Sequence, residues 1–141
     1  MQLKAAKTIT EAALDKARDL NLKPMAVVVL DDRAALRAVL AEDGASQQRA
    51  EIAFGKANGA IAFGMGTRGL AARAAKVPDF MPSAALAIRG PLIPVAGGVI
   101  VKDAAGKIVG AVGLSGDTAE NDEACAVAGI EAAGLIAQTG E

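Results

Sequence analysis

A helical register starting at Ser46 puts Ile52, Ala53, Lys56, Ala60 and Phe63 on one face, so the periodicity that buries the apolar members also turns the Lys56 ammonium toward the core. Such a lysine must find an acidic partner, lower its pKa or reach back to solvent. One reading is a structural ion pair; the other is a group that serves a ligand or moves a proton. Arg49 shares this face, and its guanidinium fork suits a carboxylate.

The second group of chemically capable residues follows Gly113. Ser115, Gly116 and Asp117 lie between a strand-like run and an acidic helix start, where free backbone amides gather into a binding rim. Glu120, Asp122 and Glu123 fall in the first turns of that helix, where the macrodipole favours negative charge. They are also a candidate metal set. Glu120 and Glu123 share a helix face by their spacing, and oxygen donors suit magnesium, manganese or iron better than zinc.

Several chemistries are excluded. The chain has no His, Trp or Tyr, which removes Ser-His-Asp and Cys-His catalysis. The single Cys125 can form no internal disulfide and reads as a small core residue. Gly64 to Gly69 matches G-x-G-x-x-G, yet a helix precedes it and Arg89 stands where the fingerprint needs an acid, so it reads as a helix-to-helix turn. Gly113-Leu114-Ser115-Gly116 lacks the spacing of a nucleophile elbow, and neither Gly55-Lys56 nor Gly106-Lys107 completes a P-loop. With 15 basic and 16 acidic residues there is no electrostatic footprint for nucleic acid. No run is long enough to span a bilayer and the first residues lack a signal-peptide core, so the expected compartment is the cytoplasm.

The elements that must position these residues are legible. Apolar positions from Leu3 to Leu20 recur at helical spacing, with Asn21 ending the helix. Met25 to Leu30 and Leu36 to Leu40 read as paired strands. A helix capped by Ser46 is predicted over 46–63, and a short Ala-rich helix capped by Thr67 over 68–76. Pro78, Pro82, Pro91 and Pro94 make the next segment irregular, apart from a short strand at 84–88. Val99 to Val101 and Ile108 to Leu114 flank the turn Asp103 to Gly106 as a hairpin. Asp117 or Thr118 caps a closing helix over 119–137. The expectation is one α/β domain with an antiparallel sheet of about five strands flanked by helices. A chain this small with 52% hydrophobic residues also predicts homo-oligomerisation.

Asp43-Gly44-Ala45-Ser46, Lys56-Ala57, Thr67, Gly97-Gly98, and above all Gly110 to Asp117 with Asn121-Asp122-Glu123 resemble the GlcG/HbpS family of haem-degrading or haem-binding domains. The resemblance spans nearly the whole chain. It implies a profilin-like layout, assembly as dimers or higher oligomers, and Gly97 and Gly98 beside the ligand rim. It further implies haem or iron as a ligand in some members, while others are encoded among catabolic genes with no assigned reaction. Haem iron is ordinarily held by His, Cys, Met or Tyr, of which this chain offers Cys125 and four methionines.

Two function classes follow. One is a module binding a small molecule, a tetrapyrrole or a carboxylate, at Arg49, Gly97, Gly98, Ser115, Gly116 and Asp117. The other is a cofactor-free lyase, dehydratase or isomerase acting on a small carboxylic acid, with Lys56 as acid/base.

Overall fold

The computed structural model describes residues 1–140. In chain order the elements are α1 (Leu3–Asp19), β1 (Ala26–Asp31), β2 (Leu36–Ala41), α2 (Arg49–Phe63), α3 (Thr67–Lys76), α4 (Phe80–Ala87), β3 (Gly98–Lys102), β4 (Ile108–Ser115), α5 (Ala119–Ala132) and β5 (Ile136–Gln138). The five strands form one sheet in the order β2-β1-β4-β3-β5, every neighbouring pair antiparallel. The expected hairpin is present: Val99 faces Val112 and Ile100 faces Ala111 across β3 and β4.

Helices cover both faces of this sheet. Val27, Val29, Val99, Val101, Val112 and Leu114 pack with Ile9 and Ala13 of α1 and Ile130 of α5. Val28, Leu30, Ile100 and Ala111 point the other way, onto Ala53, Ala57 and Ala60 of α2. A strand buried on both sides has no reason to alternate in polarity, which accounts for the unbroken valine run of β1. Alanine and glycine bring α2 very close to the sheet: a Cβ added at Gly113 of β4 would land on the Ala53 carbonyl.

Three helices stop by the same device. Asn21, Gly64 and Gly134 take positive φ of 53°, 62° and 71°. Each donates its N–H to the carbonyl three residues back, and the next residue donates to the carbonyl five back, as in Leu135 to Ile130 at 3.2 Å. Asn21 was expected in this role. Gly134 was not, and it corrects the closing helix, which ends at Ala132 instead of 137 and leaves residues 136–138 to pair with β3 as a fifth strand.

Other local expectations also change. Residues 84–88 lie mostly in helix α4 and not in a strand, because Pro82 falls in the first turn, where no intrahelical N–H is needed, and the following alanines favour helix. Helix α2 begins at Arg49, and Ser46 contributes only its carbonyl, to the Arg49 N–H at 3.1 Å. Thr67 opens α3 from within, its cap position being held by Gly66. Ile52 is exposed, since α2 rests on its Ala53, Lys56, Ala57 and Ala60 side.

Candidate functional site

Two polar groupings converge where the C-terminal end of β4 meets the start of α5. The deeper one centres on Lys56, whose Nζ lies 2.8 Å from Asp122 Oδ2. Their side chains are only 4% and 3% exposed, so the two charges neutralise each other inside the protein. Gly97, at φ +115°, closes over this pair: a Cβ there would meet Lys56 Nζ at 2.8 Å and Asp122 Cβ at 3.0 Å. Gly98 is packed as tightly, with its N–H donating to Thr67 Oγ1 at 2.7 Å while the Thr67 hydroxyl donates to the Gly98 carbonyl at 3.1 Å. Thr67 is therefore a buried clasp between α3 and β3.

The other oxygen of Asp122 extends the network to the rim. Asp122 Oδ1 accepts the Asp117 N–H at 3.0 Å. Asp117 in turn accepts from Asn121 Nδ2 at 2.7 Å, the Thr118 N–H at 2.8 Å and the Lys23 N–H at 3.0 Å. The Asn121 amide, helped by those backbone donors, holds the Asp117 carboxyl down at about 2. Thr118 caps α5, accepting from the Asn121 N–H at 3.2 Å.

The outer grouping opens to solvent. A concavity of about 200 Å³ is lined by Lys23, Pro24, Gly44, Ser46, Arg49 and Gly116. Arg49 is half-buried, and its Nη1 donates to the Oγ of buried Ser115 at 3.1 Å. That contact anchors the guanidinium to a buried hydroxyl at the wall of the opening and uses one of its five N–H donors. Gly116 is required here, since a Cβ would collide with Met25.

Of the residues singled out by sequence, Arg49, Ser115 and Gly116 thus meet at one concavity. Lys56, Gly97 and Asp122 form the support below it, and Asp117 joins the two. Gly98 lies deeper, under Thr67 and α2. The acidic trio does not gather: Asp122 faces Lys56, Glu123 pairs with Arg68, whose Nε is 2.9 Å from Oε1, and Glu120 is exposed. Among the described residues, no three such side chains come together to hold a metal ion. Lys23 and Ser46 are additional wall residues. Lys23 is held here through its backbone, its N–H donating to Asp117 and its carbonyl accepting from Arg18; Gly44 and Ser46 belong to the Asp43 to Ser46 run already noted.

Cys125 is buried in the core, where desolvation, reinforced by the Asp122 charge, pushes its thiol up to about 11. No helix among the described residues is long and apolar enough to cross a membrane.

A family model described as haem degrading protein HbpS-like matches residues 1–131. No curated protein matches the sequence. The crystal structure of HbpS is 32% identical, with a TM-score of 0.79 over 92% of this chain and 86% of that one. Protein ORFY of Klebsiella pneumoniae (24%, TM-score 0.84, 95% and 90% covered) and the PduOC–heme complex (23%, TM-score 0.83, 100% and 99% covered) share the fold. A family match over nearly the full length, together with this sheet order and helix layering, places the chain in the HbpS-like family.

Proposed function

We propose that this chain is a small-ligand-binding member of the HbpS-like family, and that its ligand is a small organic acid whose carboxylate lies between Arg49 and Lys23. The observation that carries this reading is the Arg49–Ser115 bond at the wall of the concavity. Arg49 and Lys23 line the opening, and Asp117, the acid next to Gly116, is already engaged by the Asn121 amide and by the Thr118 and Lys23 N–H groups, so a carboxylate gains its charge-assisted hydrogen bonds from the two cations. A concavity of about 200 Å³ suits a ligand of a few carbons.

The family name points to haem, so the donor set matters. It does not fit. His and Tyr are missing, Cys125 and Met25 are sealed in the core, Met1 lines a separate hollow with Ala5, Val109 and Leu135, Met65 packs against Gly69, and the Lys56 ammonium is engaged by Asp122. Met81 lines a cavity of about 380 Å³ whose walls, Ala74, Pro78, Pro82, Ala85, Leu92 and Pro94, carry no cation for a propionate. Iron donors and carboxylate-binding cations therefore lie in different places. Family-level kinship to haem proteins is retained, while the site on this chain is read as one for carboxylates. An acid/base role for Lys56 would require its ammonium to face a ligand, and it faces Asp122.

Calorimetric titration of two- to five-carbon mono- and dicarboxylates, with hemin in parallel, tests this. At least one acid should bind, and Arg49→Ala should weaken it by about 10- to 100-fold, the worth of one charge-assisted hydrogen bond. Equal binding to wild type and Arg49→Ala, or hemin binding with no acid bound, would overturn the proposal.

A further inference from the structure

The segment between α1 and β1 is fastened by charged side chains from α1, from the end of β2 and from the β4–α5 turn. The Lys23 N–H donates to Asp117 Oδ2 at 3.0 Å, and the Lys23 carbonyl accepts from Arg18 Nη2 at 3.1 Å. Pro24 has no N–H to satisfy and a fixed φ. The Met25 N–H then donates to Glu42 Oε1 at 3.0 Å, and the Met25 carbonyl accepts from the Glu42 N–H at 3.0 Å. Arg18 and Glu42 are themselves joined twice: Nε lies 2.7 Å from Oε2, and Nη2 donates to Oε1 at 3.2 Å.

Stability alone does not call for this arrangement. Lys23 and Pro24 are exposed, so water could serve their backbone, and the Arg18 side chain is 45% exposed, where an ion pair contributes little to folding. What the arrangement does fix is the place of Lys23 and Pro24, which line the same concavity as Arg49. We infer that Glu42 is a positioning residue for that site: with Arg18 it clamps the Lys23–Met25 backbone, so that Lys23 is in place before an acid arrives. The inference rests on the carboxylate reading of the concavity. A wall ordered in advance loses no further freedom on binding, which raises affinity without adding a contact. Arg18 has a second part, since its guanidinium neutralises Glu42, an acid that would otherwise repel an anion nearby. Charge and positioning therefore predict opposite signs. Removing the Glu42 carboxylate tightens an anion site by charge alone, whereas loss of the clamp loosens it.

Titration of the full chain with the two- to five-carbon mono- and dicarboxylates, by calorimetry and by NMR shift mapping up to millimolar acid, reads the sign. Glu42→Ala should weaken the acids that wild type binds by about 3- to 10-fold while melting close to wild type. Lys23→Met should weaken them too. The double variant Lys23→Met/Glu42→Ala should bind no worse than Lys23→Met, because Glu42 acts through the lysine, whereas a general structural loss would add in full. With no acid present, the Met25 amide hydrogen should exchange about 10-fold faster in Glu42→Ala than in wild type. Unchanged or tighter binding by Glu42→Ala, a loss that adds in full to that of Lys23→Met, or unaltered Met25 exchange would each overturn the inference, and the carboxylate reading would stand if Arg49→Ala still weakens binding. Failure of wild type to bind any of these acids would overturn both.

Discussion

Lys56 Nζ stands 2.8 Å from Asp122 Oδ2, and water reaches almost none of either side chain. The pair links α2 to α5 across the end of β4, and through Asp122 Oδ1 it also fixes the Asp117 amide. One buried contact thus sets both the helix spacing and the rim.

Replacing Lys56 by Met keeps the side-chain length and leaves Asp122 as an unpaired buried charge. The expected cost is about 3–5 kcal/mol, a fall in melting temperature on the order of 10 °C. The double variant Lys56→Met/Asp122→Leu should melt above the single one, since no lone charge remains. Thermal unfolding by circular dichroism decides, and a Lys56→Met variant melting like wild type refutes the structural pair.

Asp117 gives the protein an acid-labile element. Its carboxyl titrates near 2 when folded, below the ordinary 3.8, so the stability it contributes is present above about pH 4 and is lost as pH falls toward 2. Asp117→Asn should flatten the stability profile between those limits. Denaturant melts of both proteins at pH 5, 4, 3 and 2.5 show it; parallel curves would mean the network around Asp117 does not hold in solution.

Gly113 permits α2 to lie on β4. Gly113→Ala pushes a methyl group onto the Ala53 backbone carbonyl, which cannot rotate away as a side chain can, and should destabilise by about 1–3 kcal/mol or more. The denaturation midpoint should drop. An unchanged midpoint would show that α2 is seated less closely than described.

Cys125 should be inert in the native protein. With the thiol raised to about 11 and the side chain buried, essentially no accessible thiolate exists at neutral pH. A colorimetric disulfide reagent should label it only after unfolding. Rapid stoichiometric labelling of folded protein at pH 7.5 would contradict this.

Local chemistry accounts for most of the architecture. The valines of β1, the Asp103 to Gly106 turn, the Thr118 cap and the Asn21 terminator each act within a few residues, so each was readable from the chain alone. The inward Lys56 was readable too, because helical periodicity determines which way a side chain leans. What remained undetermined was non-local. Strand β5 exists because Gly134 turns the chain back onto the free edge of β3, and the prolines around α4 mask a helix that its alanines favour. Asp122 and Asp117 were visible as acids, but which cation answers each was decided by the packing of α2 and α5 against β4, 66 residues separating Lys56 from Asp122. Lys23 is tied to the rim by its backbone N–H on Asp117, 94 residues away in the chain. Sequence by itself determined α1, the strands β1 and β2, the two following helices and the β3–β4 hairpin, since those follow from spacing and propensity. Tertiary structure alone decided which charges are neutralised in the core and which line the open concavity, because a buried charge takes its meaning from the partner that folding brings within hydrogen-bonding distance.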